Sequence, residues 1–271
     1  MKLKTSLQIF GILARNALLG GNIASLWLWR HPRLMADYMR QCLFLFQTYT
    51  STRGLPQKNV FEVLPNQGVE MIRLSNLDQS TSLYGEPWFH AITSYSVDLI
   101  NLCLVCQIST PKVVFEIGTL RGYTAFHFAL NTPDESQIYT LDLPSDQRGA
   151  LNTTGIDNAH VEAHSLIKIN VGENLPEARK ISYLFGDSAT FDYSNWYGKC
   201  DFFFIDGAHS YEYVRSDTLN ALECCHSGSV IAWHDYGRLG VNGVTRWLNE
   251  LSRTEEIYVI PGGSLAFMVK K

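Results

Sequence analysis

Residues 113–130 read Val-Val-Phe-Glu-Ile-Gly-Thr-Leu-Arg-Gly-Tyr-Thr-Ala-Phe-His-Phe-Ala-Leu, and the change of pattern inside this stretch decides the fold class. Val113-Val114-Phe115 is a short apolar run with β-branched residues, as a strand covered on both faces requires. Glu116 stands where that strand should end. Gly118 and Gly122 bracket a tight turn, and Thr124–Leu130 has helical spacing. Strand, glycine turn and helix make half of a βαβ unit, in which ligands sit beyond the carboxyl ends of the strands. The chain is read as α/β, a Rossmann-like sheet with helices on both faces.

The glycine spacing narrows the ligand. A dinucleotide fingerprint, G-x-G-x-x-G, uses its second glycine to let backbone approach a pyrophosphate. Leu120 holds that place here, so a diphosphate would meet an apolar side chain. Glu116 before the turn suits a ligand with positive charge. The pattern Glu116-x-Gly118-x-x-x-Gly122 resembles the first motif of class I S-adenosylmethionine-dependent methyltransferases. Downstream, Gln137–Asp142 reads as a second strand ending in an acid, 20 residues past Gly122. There Rossmann-type units place a carboxylate on the ribose hydroxyls. Ile181–Phe185 gives a third strand, followed by Gly186-Asp187-Ser188. Asp187 and the Ser188 amide suit the N6 donor and N1 acceptor of adenine, and the stretch resembles the third cofactor motif of the same family.

The strongest segment is Cys200-Asp-Phe-Phe-Phe-Ile205, an apolar strand ending in Asp206-Gly-Ala-His209-Ser-Tyr211. A helix follows to Cys225, then a strand from Gly228 to Trp233 ending in His234-Asp235-Tyr236. These two segments resemble the small-molecule branch of the family, related to macrocin and sugar O-methyltransferases, over roughly residues 110–270. The resemblance implies a seven-stranded sheet, six strands parallel and the last antiparallel. Strands near 113, 137, 181, 201, 229, 256 and 265 supply the count, and Pro261–Ser264 makes a hairpin turn between the last two.

The expected activity is methyl transfer from S-adenosylmethionine to a small-molecule acceptor, at a hydroxyl oxygen. Glu116, Gly118, Gly122, Asp142, Asp187, Ser188 and Asp206 form the expected cofactor site. Methyl transfer from a sulfonium to an oxygen needs the acceptor proton removed and gains from a dry pocket, because charge disappears as the bond forms. Asp206 and Asp235 end neighbouring strands, about 5 Å apart at that edge, so both can hold a divalent cation such as Mg2+ that acidifies a hydroxyl. The resemblance supports a metal there, although Ala208 and His234 stand where relatives often carry acids. Without a metal, His209 or His234 is the base, His234 being ranked lower because successive strand residues face opposite sides. The bland readings are that Asp206 caps the following helix and that Asp235 holds a turn. A nicotinamide-dependent oxidoreductase and a catalytically silent cofactor-fold module are the alternatives.

The rest of the chain is ordinary in bulk. Of 271 residues, 46% are apolar and 18% charged, with a net charge of −4, within the range of one or two globular domains. Residues 1–60 carry eight Lys/Arg against Asp37 alone. That asymmetry fits an acidic partner or a membrane surface, and the lack of a basic run excludes nucleic acid. Residues 1–50 read as two or three helices, too short and polar to span a bilayer. They pack on the sheet or a second subunit, or attach peripherally to a membrane through Trp27 and Trp29. Residues 1–87 are taken as this helical extension with a lid-like loop, and 88–271 as the catalytic domain. Trp88–Ile108 is expected to be a long amphipathic helix that buries Cys103 and Cys106. Six cysteines without zinc spacing point to a reducing, cytoplasmic setting. The basic residues Arg148, His160, His164, Lys168, Arg179 and Lys180 are taken most simply as solvated surface.

Overall fold

The computed structural model describes residues 54–64, 72, 93–120, 122–144, 146–155, 157–158, 175–238 and 241–271. The expected helices of residues 1–50, the lid at Tyr84–His90 and any membrane contact through Trp27 and Trp29 lie outside the described residues. Seven strands pair into one sheet. They are β1 (Val113–Ile117), β2 (Gln137–Asp142), β3 (Ile181–Phe185), β4 (Cys200–Ile205), β5 (Cys225–Trp233), β6 (Tyr258–Val259) and β7 (Ala266–Val269), in the spatial order β3-β2-β1-β4-β5-β7-β6. β1 to β5 pair in parallel, and β7 is antiparallel to both β5 and β6. Six strands therefore run one way and β7 alone the other, as expected.

The described helices are α1 (Val60–Val63), α2 (Thr93–Ser109), α3 (Tyr123–Leu130), α4 (Tyr211–Cys224) and α5 (Asn242–Leu251). Two cores explain why the central strands are continuous apolar runs. Phe115, Phe203, Ile205, Ile231 and Trp233 face Val214 of α4 and Leu248 of α5. Their alternating neighbours Val114, Phe202, Phe204, Val230 and Ala232 face α2 and α3 through Leu102, Val105 and Phe128. With both faces covered, these residues are buried whichever way they point. Cys103 and Cys106 are core thiols, and the five described cysteines are free.

Two expectations need correction. The helix leading into β1 has little polar face: Asp98, Leu99, Leu102, Cys103, Val105 and Cys106 are all buried, because it lies between the sheet and the chain around α1. Lys180 is no surface residue either. It is 7% exposed, and its Nζ donates to the carbonyls of Ala129 and Thr132 at 2.8 and 2.9 Å. These are orphan carbonyls at the C-terminus of α3, where a cation is favoured.

Residues 52–271 form one compact unit, so part of the stretch grouped with the amino-terminal extension packs with the sheet. Gln57 bridges to Val259, Leu55, Val60 and Leu64 are buried, and Asn59 and Glu62 close a capping box on α1. Among the described residues no helix is long and apolar enough to cross a membrane.

Candidate active site

The chain reverses direction across the sheet between β1 and β4, the crevice where open α/β sheets bind ligands. The two strand ends are locked together, the Asp206 amide donating to the Ile117 carbonyl at 2.9 Å. Gly118 follows with φ +100°, and a Cβ there would run into the Asp206 carbonyl. Only glycine lets the two strand ends approach so closely. Gly122 begins α3, its amide on the Thr119 carbonyl at 2.7 Å.

On the β1–β2–β3 side the acids meet backbone and hydroxyl groups. Glu116 is fully buried. Its Oε2 accepts from the Thr140 hydroxyl at 2.5 Å, and that hydroxyl lies 2.6 Å from the Thr119 hydroxyl. Oε1 has no hydrogen-bond partner among the described residues. Burial, and the nearby charges of Asp206 and Asp142, push Glu116 well above the usual carboxylate range. At the end of β2, Asp142 accepts the Leu120 and Leu143 amides, both at 3.0 Å, and burial raises it to about 6. Leu120 itself sits at φ +50°.

After β3, Asp187 Oδ1 accepts from the Ala189 amide and the Tyr213 hydroxyl, both at 3.0 Å, while among the described residues Oδ2 accepts only the Ala150 amide, at 2.5 Å. One lone pair of Oδ2 is left for a further donor, and the Ser188 amide has no acceptor among the described residues. A donor and an acceptor position therefore lie side by side, as an adenine edge needs. Beneath them lies Asp217, fully buried. Burial raises it to about 7, against the opposing influence of the Ser188 side chain.

On the β4–β5 side the acids meet imidazoles. His209 lies between two carboxylates, Nδ1 2.6 Å from Asp157 Oδ1 and Nε2 2.8 Å from Asp235 Oδ2. Burial disfavours its charge, yet the bonds to Asp157 and Asp235 carry it up to about 10. His234 lies with Nδ1 3.1 Å from Asp206 Oδ1 and Nε2 3.3 Å from Asp98 Oδ2 of α2. Burial opposes its charge too, but Asp206 and Asp235 push it well above the histidine range. Burial would raise Asp98, Asp157 and Asp235, but the histidines hold all three below the usual carboxylate value. Arg238 adds a 2.7 Å bond to Asp235 Oδ1.

Both bland readings are excluded or completed by this geometry. The cap of α4 is Ser210, whose side chain accepts from the Tyr213 amide, not Asp206. Asp235 does turn the chain, at φ +64°, and that turn aims its carboxylate at His209. His209 needs a revised role, since with a carboxylate on each nitrogen it already holds its proton at neutral pH. It is a cationic clamp in this arrangement and not a free base. Asp206, His209 and Asp235 each offer a ligand atom, all within 4.8 Å of one another. Two carboxylates and an imidazole are a donor set that a divalent cation accepts.

Residues 115–236 match a family model described as a methyltransferase domain. Among solved structures, the chain is similar to the O-methyltransferase TomG of Streptomyces achromogenes, involved in tomaymycin synthesis and solved with SAM, at 18% identity, 67% of this chain, 82% of that chain and TM-score 0.45. It is similar to the SAH-bound methyltransferase PaMTH1 of Podospora anserina at 13% identity, with 69% and 83% coverage and TM-score 0.49. It is also similar to the Bacillus cereus O-methyltransferase solved with SAH, at 20% identity, 62% and 79% coverage and TM-score 0.42. No curated protein matches the chain. The family match and the antiparallel β7 leave the nicotinamide-dependent reading without support. Over residues 115–236 the chain therefore matches a methyltransferase domain, carried on a sheet of order β3-β2-β1-β4-β5-β7-β6.

Proposed function

We propose that the chain transfers the methyl group of S-adenosylmethionine to a hydroxyl oxygen of a small molecule, at the ends of β4 and β5. The observation that carries this is the convergence of Asp206, His209 and Asp235 within 4.8 Å, beside the Gly118 turn. The cofactor lies across β1, β2 and β3. Its ammonium and sulfonium charges face Glu116, the ribose hydroxyls meet Asp142, and the adenine edge meets Asp187 and the Ser188 amide. The acceptor then approaches from the β5 side.

In this reading an acceptor hydroxyl enters between His209 Nε2 and Asp235. Parted from one carboxylate, the imidazolium falls back toward its ordinary range and releases its Nε2 proton to solvent. The neutral Nε2 then accepts the hydroxyl hydrogen bond and takes the hydroxyl proton as the oxygen attacks. The oxygen lone pair attacks the sulfonium methyl in line, the carbon–sulfur bond breaks, and S-adenosylhomocysteine leaves as a neutral thioether. Asp206 and Asp235, with His209, are the residues that would hold Mg2+, and such a cation would supply acidification of a bound hydroxyl. The buried free thiols suit a reducing, cytoplasmic location. The basic stretch before residue 60 suits a second copy or a membrane surface as a secondary partner.

The test is incubation with methyl-labelled S-adenosylmethionine and a mixture of phenols and sugars, with and without chelator. Labelled methyl ethers are expected. Label appearing solely on nitrogen or sulfur acceptors, or on none, overturns the reading, while full activity in chelator removes Mg2+ and leaves the rest.

A further inference from the structure

The residues between β2 and β3 hold a carboxylate that the mechanism above does not use. Asp157 is 5% exposed. Its Oδ1 accepts both the His209 backbone amide at 3.1 Å and the ring Nδ1 at 2.6 Å. Its Oδ2 accepts the Thr154 amide at 2.7 Å, and the Thr154 hydroxyl returns a bond from the Asp157 amide at 3.2 Å. This is a closed local ring, so the carboxylate cannot turn without breaking several bonds. Gripping both the backbone and the ring of His209 fixes where the imidazole stands and which nitrogen faces the strand ends.

The same stretch is anchored again on the adenine side. Ala150 donates to Asp187 Oδ2 at 2.5 Å, and Leu151 to the Tyr213 hydroxyl at 3.4 Å. Gly149 lies so close to that hydroxyl that a Cβ would overlap it. Residues 149–155 and 157–158 therefore make a strap, fixed at one end beside the proposed adenine contacts and at the other on the imidazole.

We infer that Asp157 is a positioning residue for methyl transfer, holding His209 Nε2 at Asp235 through a strap anchored beside the cofactor. The inference rests on the reading of His209 given above. A carboxylate behind an imidazole selects the nitrogen that carries the proton and the direction of the other. Here it comes from a segment 52 residues before the histidine.

Three readouts on the full chain test it. Nitrogen-15 histidine spectra should show a strongly downfield Nδ1 proton for His209, lost in Asp157→Ala. Turnover of the acceptor found by the labelling assay should fall by roughly 30- to 100-fold in kcat, the effect seen when outer partners of functional histidines are removed, with acceptor KM within about threefold. Calorimetric affinity for S-adenosylhomocysteine should stay within about threefold. Thr154→Ala, which keeps the carboxylate but loosens its ring, should lose roughly 3- to 10-fold in kcat and keeps the test open if Asp157→Ala does not fold. An unchanged kcat in a variant that has lost the downfield proton overturns the inference. So does an equal loss of S-adenosylhomocysteine binding, which would make the strap a structural brace. A wild-type chain with the downfield proton but no transfer to hydroxyls counts against the proposed reaction, not against the hold on His209.

Discussion

The acids at the ends of β1, β2 and β3 and those at the ends of β4 and β5 line one edge of one sheet, yet they have opposite electrostatic characters. Burial raises Glu116, Asp142 and the nearby Asp217. Asp98, Asp157 and Asp235 are also buried, but His209 and His234 compensate them and hold them low. Burial dominates the carboxyls of the first half, whereas those of the second are matched by imidazoles. A ligand with a sulfonium and an ammonium fits the first half, where it replaces protons that burial keeps on the carboxyls. The second half suits a neutral acceptor whose proton must be taken up. The difference matches the proposed placement of the charged cofactor on the first half.

The largest expected effect comes from breaking the seam between the halves. Gly118→Ala sets a Cβ against the Asp206 carbonyl at a positive φ, so it forces β1 and β4 apart. Overpacking and left-handed strain together cost roughly 3–5 kcal/mol. Urea unfolding should show that loss, and S-adenosylhomocysteine binding should vanish with methyl transfer. A variant that keeps both stability and binding would mean that the two halves do not depend on this close approach.

Next in size is the pH dependence of stability, which reads the halves in different windows. Asp217 stands near 7 when folded against its ordinary 3.8. As pH rises from 4 to 7 the unfolded chain gives up this proton and the folded chain keeps it. Stability is therefore fully present below 3.8 and lost through 7, by about 4 kcal/mol. His209, near 10 against 6.5, keeps its contribution below 6.5 and loses up to roughly 5 kcal/mol by pH 10. Asp217→Asn should flatten the curve between pH 4 and 7, and His209→Gln between 6.5 and 10. If both variants flatten the same window, the two halves are not electrostatically distinct.

A smaller effect sharpens the charge argument. At pH 7.5 Asp142, near 6, is mostly ionised, while burial holds Glu116 well above the usual carboxylate range. Binding S-adenosylmethionine should then release about 0.5–1 proton, as the cofactor's cationic groups lower the Glu116 value. Calorimetry in buffers of different ionisation enthalpy measures this. Glu116→Gln should abolish the release and weaken binding about tenfold, or 1.4 kcal/mol. Proton release that survives the substitution would assign it elsewhere.

The parts of this design that were legible are those written in contiguous residues. Apolar runs ending in Glu116, Asp142, Asp206 and Asp235 located four strand ends, and the Gly118–Gly122 turn located the crevice. The partners of the histidines were not legible, because they arrive from far along the chain. Asp98 reaches His234 from the middle of an apolar helix, and Asp157 reaches His209 from a segment with no clear periodicity. Asp217 resembles any acid on a helix until packing seals both of its oxygens. His234 was ranked low on strand alternation, but β5 ends at Trp233 and Asp235 turns at φ +64°. Past that point alternation no longer applies, and His234 lies beside Asp206 after all.

The smallest expected effect asks whether the loop or the charge selects the ligand. Leu120 takes the place of a dinucleotide-type glycine at φ +50° and is 37% exposed. Leu120→Gly relieves about 1–2 kcal/mol of left-handed strain, but gives back about 0.4–1 kcal/mol in the greater freedom of the unfolded chain and about 1–2 kcal/mol of the side chain's buried contacts. These nearly cancel, so the melting temperature should move by no more than about 4 °C in a chain of this size. The amide of residue 120 still donates to Asp142, so S-adenosylhomocysteine affinity should change less than threefold. NAD should remain unbound, because a pyrophosphate would bring its charge toward the ionised Asp142 and Asp206. If the glycine variant gains NAD affinity, the shape of the turn excludes dinucleotides and the acids do not. If it gains none, selection for a cationic nucleoside resides in the acids of this half of the edge.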